Sequence, residues 1–123
     1  MTKISLLPHH HTDDSLLSEI PDIEEIAVVS EAMKQLGDPA RLQIFWILCH
    51  CEECVANLAA MVNMTSPAVS HHLRVLKDHN LVTAQRRGKE VYYQASHTPL
   101  VDSLHHTIED IAKIACPQKP PLP

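Results

Sequence analysis

Apolar positions recur at helical spacing from Ile23 onward, with Ile23, Ile26, Ala27, Met33 and Leu36 on one face and Ser30 in register among them. Gly37-Asp38-Pro39 breaks that run. The break predicts a second helix with Asp38 as N-cap and Pro39 at its first helical position. This helix sends Leu42, Phe45, Trp46 and Leu48 into the core and runs out near His50. A short third helix has Val55, Leu58, Ala59 and Val62 as its buried stripe. After a turn at Asn63 and Met64, Thr65 or Ser66 caps a fourth helix whose apolar face is Val69, Leu73, Leu76 and Leu81. The period then falls to two. Val82 and Ala84 alternate with polar neighbours, Arg86-Arg87-Gly88-Lys89 supplies a turn, and Val91, Tyr92, Tyr93 and Gln94 return, predicting a hairpin with a basic tip. The last helix starts near Pro99, with Leu100, Val101, Leu104, Ile108, Ile111, Ala112 and Ala115 on its apolar side. That stripe is broad for a helix closing a small domain, so the first and last helices are expected to join two copies of the chain.

The expected fold is therefore mainly helical with a small β-hairpin. Residues 1–20, polar and carrying His9, His10 and His11, read as a flexible arm; 21–116 form the domain; 117–123, with four prolines, form a tail that cannot continue a helix. At 123 residues and 45% hydrophobic content, one compact domain with a modest core is the limit. Only two glycines occur, which excludes a glycine-rich nucleotide loop, and aromatic residues at 3% exclude a base-stacking platform for single strands. Such a short helical core leaves little room for a catalytic pocket, so the chain is not read as an enzyme. It shows no signal peptide and no long apolar span, which with closely spaced cysteines points to a reducing, cytoplasmic setting and no membrane.

The net charge of -5 argues against nucleic acid until its distribution is followed. Residues 1–40 hold eight acids and two bases, whereas 64–89 carry Arg74, Lys77, Arg86, Arg87 and Lys89 against Asp78 alone. Two helices across a short turn, followed by a basic hairpin, form a winged helix-turn-helix, in which the second helix enters the major groove of double-stranded DNA and the hairpin holds the adjacent backbone. The candidate contacts are Thr65, Ser66, Ser70, His71, Arg74 and Lys77 on that helix and Arg86, Arg87 and Lys89 on the wing.

Cys49-His50-Cys51-Glu52-Glu53-Cys54 has C-x-C-x-x-C spacing, which lets a turn converge three sulfurs on one soft ion: Zn(II), Cd(II), Pb(II), Cu(I) or trivalent arsenic. Glu52 and Glu53 raise neighbouring thiol pKa values by like charge, a repulsion that a bound cation relieves. Cys49 alone also fits a small core residue. A second candidate is the last helix, where Asp102, His105, His106 and Glu109 stand at i, i+3, i+4 and i+7, which is either zinc-ligand chemistry shared by two such helices lying antiparallel across a dimer or a solvated polar face. Cys116 is either a further thiolate ligand or a helix-end residue.

Gly37-Asp38-Pro39-Ala40-Arg41-Leu42-Gln43-Ile44, Glu53-Cys54-Val55-Ala56-Asn57-Leu58-Ala59, Ser70-His71-His72-Leu73-Arg74-Val75-Leu76 and Gly88-Lys89-Glu90-Val91-Tyr92-Tyr93, in that order, resemble the ArsR/SmtB family of bacterial metal-responsive repressors over about residues 24–116. The resemblance implies a homodimer, joined through the first and last helices, that binds a palindromic operator and releases it when an inducer binds. It puts Cys54 on the first cysteine of the family's E-L-C-V-C-D-L signature, but Ala56 and Asn57 replace the second cysteine and the aspartate, displacing the cluster upstream to Cys51 and Cys49. It also implies an arm ligand, for which His11 is the choice, and assigns His71 and His72 to the reading helix rather than to metal. The family's usual last-helix zinc positions fall on His97, Pro99, Asp110 and Lys113, where proline and lysine break the pattern. The expected function is a repressor released by a thiophilic metal or metalloid; the alternatives are a redox or sulfur-species sensor using the same cysteines and a metal-buffering protein with no regulatory role.

Overall fold

The computed structural model describes residues 7–9 and 14–116. They form a 3-10 helix (Asp14–Ser18), α1 (Ile23–Gln35), α2 (Pro39–His50), β1 (Glu53–Cys54), α3 (Val55–Val62), α4 (Ser66–Asp78), β2 (Val82–Arg87), β3 (Glu90–Ala95) and α5 (Pro99–Ala115). The expected tail at 117–123 lies outside the described residues, as do His10 and His11 of the expected arm. The chain divides into two units, residues 1–31 and 32–123. In the first, the stretch expected to be an aperiodic arm carries the 3-10 helix, with Ser18 Oγ donating to the Ser15 carbonyl at 2.9 Å.

In the second unit, cap chemistry fixes the helix starts. Asp38, Thr65 and Thr98 each take extended backbone and accept from the amide three residues on, those of Arg41, Ala68 and Val101. A proline follows each cap in the first turn, where its missing N–H costs nothing. The core joins Ile44, Phe45, Ile47 and Leu48 of α2 to Leu58, Val69, Leu73, Leu76, Leu81, Val82, Ala95 and Val101. Fully burying side chains of this size is worth about 1.5–3 kcal/mol each. Trp46, expected among the core residues of α2, packs at the margin, while Ile44 and Ile47 are buried. The stretch Ile44-Phe45-Trp46-Ile47-Leu48 is apolar on every side, so its neighbours rather than its periodicity choose the inward face.

Leu81 reaches the core by another route than the one expected. Helix α4 stops at Asp78, Asn80 turns left-handed at φ 59, and the Leu81 amide donates back to the Leu76 carbonyl at 2.9 Å. The hairpin turn is also tighter than expected: Arg87 pairs with Glu90, so only Gly88 and Lys89 lie between the strands. Gly88 sits at φ +63, in the first loop position, where a type II′ turn calls for glycine. The two-residue β1 was not expected. It pairs with β3 through Glu53 with Tyr93 and Cys54 with Tyr92, giving an antiparallel sheet of order β1-β3-β2. A run so short has no period of its own to read.

Candidate functional site

Helix α3 is capped at Asn63, whose amide donates to the Ala59 carbonyl and whose left-handed backbone (φ 55, ψ 51) lets the following Met64 amide reach the same carbonyl at 3.0 Å. The chain turns through Met64 and Thr65 into α4. Val69, His72, Leu73 and Leu76 bury one side of α4, and Ser66, His71, Arg74 and Lys77 are exposed on the other, with Ser70 half-buried. Thr65 is exposed and serves as the cap, accepting from the Ala68 amide at 3.3 Å. All the candidate DNA contacts on this helix thus reach solvent to some degree, on a helix whose reverse side is locked into the core.

A polar knot fixes α4 against the start of α2. Arg41 Nε donates to His72 Nδ1 at 3.2 Å, while its Nη1 donates to the backbone carbonyl of Gln35 at 3.3 Å and to its side-chain oxygen at 3.2 Å. His72 is 9% exposed. Burial depresses its pKa, with the Arg41 and His71 charges acting the same way and Asp38 opposing them. The ring is therefore neutral near pH 7, with Nδ1 free to accept from Arg41. The Asp38 carboxyl, by contrast, is held below the usual range, chiefly by the Arg41 amide it caps. No local sequence signal marks this role of Arg41, because it depends on His72, thirty-one residues away.

On the wing, Arg86, Arg87 and Lys89 are exposed. Arg86 Nε donates to the Gly88 carbonyl at 3.2 Å, which leaves its charge uncompensated by that bond. Arg87 differs: its guanidinium grips both carboxylate oxygens of Glu52, at 2.7 and 2.8 Å, and lies 5.2 Å from the Tyr92 ring centroid. Glu52 belongs to the cysteine segment, so that segment and the wing are directly joined.

The expected convergence of Cys49, Cys51 and Cys54 is not found. Instead of a turn, the backbone is extended at Cys51 (φ -154, ψ 163), the C-cap of α2, and at Cys54 (φ -91, ψ 167), which pairs with β3. Cys54 is buried, Cys51 is exposed with its thiol on the Ile47 carbonyl at 3.5 Å, and Cys49 is half-buried. Burial, then the charges of Asp102 and Glu109, push the Cys49 thiol up to about 12. Burial and the Glu53 charge also raise that of Cys51. Cys116 is exposed at the C-cap of α5.

Among the described residues, the metal-type donors that do meet are His50, His105 and Glu109. His50 Nε2 lies 2.9 Å from His105 Nε2 and 3.4 Å from Glu109 Oε1, and His105 Nε2 lies 2.5 Å from Glu109 Oε1. Spacing on the last helix had pointed to His105 and Glu109. His50 was passed over between two cysteines, and only the packing of α2 against α5 could add it. A cavity of about 230 Å³ adjoins the cluster, lined among others by Cys49, His50, Cys51, His97, Asp102 and His105.

The bacterial regulatory proteins of the arsR family match residues 38–84, from the N-cap of α2 into β2. A transcriptional repressor SmtB homolog from Synechocystis sp. is 37% identical over 75 residues, 61% of this chain; the chain spans only 57% of that protein. The arsenical resistance operon repressor of Staphylococcus aureus is 33% identical over 63% of this chain and 75% of its own length. The homodimeric winged helix-turn-helix DNA-binding domain of Mb0332 from Mycobacterium bovis superposes with a TM-score of 0.66 over 90% of this chain and 96% of that domain, at 24% identity, which establishes the shared fold. With its capped α2, its α3–turn–α4 unit and its two-residue wing turn, the chain belongs to the arsR family of bacterial regulatory proteins.

Proposed function

We propose that the protein is a homodimeric transcriptional repressor that grips double-stranded operator DNA with α4 and the β2–β3 wing and lets go when a metal or metalloid ion binds near the end of α2. The observation that carries this reading is the solvent face of α4, where Ser66, His71, Arg74 and Lys77 stand exposed on a helix anchored from behind by Leu73, Leu76 and the Arg41–His72 bond. Short polar groups and a guanidinium suit phosphates and base edges. The charge asymmetry along the chain agrees with it, as do the repressors it resembles.

Dimerisation is supported by apolar side chains left in water: Ile23, Val28 and Met33 on α1 are 78%, 63% and 63% exposed, and Ile111 and Ile114 on α5 are 58% and 79%. Two symmetry-related α4 helices would then meet half-sites about 34 Å apart. Zn(II), Cd(II), Pb(II) and trivalent arsenic are the inducer range. A cysteine-oxidation switch is less well supported, because thiols held protonated, as those of Cys49 and Cys51 are, react slowly.

The test is selection of duplexes from a random-sequence pool by the metal-free protein, followed by fluorescence anisotropy of the selected duplex with and without each ion. Sequence-specific binding that weakens about 5- to 150-fold with at least one ion is the expected result. Stoichiometric metal uptake with no duplex selected would leave only a metal-buffering role.

A further inference from the structure

We propose that the protein binds one divalent first-row transition ion of the zinc class between the last turn of α2 and the middle of α5, with His50 Nε2, His105 Nε2 and Glu109 Oε1 as ligands. The three atoms already converge, with separations of 2.9, 3.4 and 2.5 Å. Tetrahedral bonds of about 2.0–2.1 Å place ligands about 3.3 Å apart, so the His50–Glu109 spacing fits and the other two open by less than about 1 Å. Both rings are constrained. His50 packs on Trp46, one turn earlier in α2, with centroids 4.2 Å apart, and meets His105 edge-on at 4.6 Å. His105 and Glu109 are neighbours along α5 at i and i+4.

The electrostatics favour a cation. Two carboxylates put negative charge there, Glu109 in the cluster and Asp102 on the wall of the adjoining cavity. Asp102 lines the cavity on that side and leaves a fourth position open to it or to solvent. Two imidazoles and a carboxylate suit Zn(II), Co(II) and Ni(II), whereas trivalent arsenic and Pb(II) favour converging thiolates. With the backbone extended at Cys51 and at Cys54, no cysteine joins the donors that converge among the described residues.

A regulatory consequence rests on the repressor reading above. His50 is followed directly by Cys51 and then Glu52, which holds Arg87 of the wing, and by β1, which leads into α3. Drawing His50 toward α5 therefore pulls on the segment that feeds both DNA-gripping elements.

The experiment uses the reduced, metal-free full chain without DNA. Co(II) titration is expected to give one equivalent per chain with ligand-field absorption and no thiolate charge-transfer band, and Zn(II) displaces the cobalt. His105→Ala and Glu109→Gln, checked by circular dichroism for folding, each weaken Zn(II) binding at least about 10-fold, since even outer partners of metal ligands contribute that much. The Cys49→Ser/Cys51→Ser double variant binds as the parent does. Unchanged Zn(II) affinity in His105→Ala and Glu109→Gln, or its loss in the double-cysteine variant, overturns the site. Zn(II) is then added to the protein on its selected duplex: metal binding with unchanged DNA affinity overturns the coupling alone. If no duplex can be selected, the repressor reading falls while the titration without DNA still decides the site.

Discussion

Glu52 and Arg87 form a two-pronged ion pair, 2.7 and 2.8 Å, that ties the segment after α2 to the last residue of β2. Arg87 was expected to contact DNA alongside Arg86 and Lys89, but in the free protein its charge is already paired with Glu52. The pair is half open to water, so it is worth no more than about 1 kcal/mol and can be exchanged for a phosphate. Arg86→Ala or Lys89→Ala should flatten the dependence of log affinity on log salt by about one unit, and Arg87→Ala by clearly less. Glu52→Gln should steepen it and raise affinity. Anisotropy titrations at several salt concentrations check this; equal flattening by Arg86→Ala and Arg87→Ala would contradict it.

Specificity should reside on α4. Arg74→Ala is expected to cost about 1–3 kcal/mol on the selected duplex and to relax preference at the base pair it meets. Lys77→Ala, near the helix end, should weaken selected and unselected duplexes alike. Competition against single-base variants of the selected duplex separates the two effects, and an Arg74→Ala protein with undiminished preference would remove that residue from the reading face.

The buried His72 gives folding stability a pH dependence of defined sign. Its folded pKa lies below the ordinary 6.5, so between the two values the unfolded chain binds more protons. Stability due to this residue is present above about pH 6.5, falls as pH drops through that value, and levels off below the folded pKa. Protonation places a proton on Nδ1 facing the Arg41 guanidinium, beside the cation of His71, with Asp38 in partial compensation. His72→Gln should therefore show a shallower decline in urea-unfolding stability between about pH 7 and 5 than the parent. Parallel curves would mean that His72 titrates like a free imidazole.

Cys54 is 7% exposed, on the core side of β1. Cys54→Ser buries a hydroxyl there and should lower stability by about 1–3 kcal/mol in urea unfolding while leaving metal uptake unchanged. Cys116→Ser, at an exposed helix end, should fall within about 0.5 kcal/mol of the parent. A Cys54→Ser protein of unaltered stability that no longer takes up metal would restore Cys54 as a ligand.

Local chemistry was legible in the amino-acid order. Asp38-Pro39, Thr65 followed by Pro67, and the shift from helical to alternating period after Leu81 fix caps, helices and hairpin through interactions spanning only a few residues, and four motifs in series carried the family resemblance. Tertiary structure decided whatever depends on residues far apart in the chain. Strand β1 exists only because β3 offers it a partner, and with Cys49 in α2, Cys51 extended after it and Cys54 in β1, the C-x-C-x-x-C segment does not form the chelating turn that spacing alone suggested. His50 joins His105 across fifty-five residues, Arg41 meets His72 across thirty-one, and Glu52 captures Arg87 across thirty-five. Sequence spacing gives side-chain position within one helix or strand, but a site shared between elements is set by how their apolar faces pack, and the packing of α2, whose middle is apolar on every side, is not written in its own periodicity.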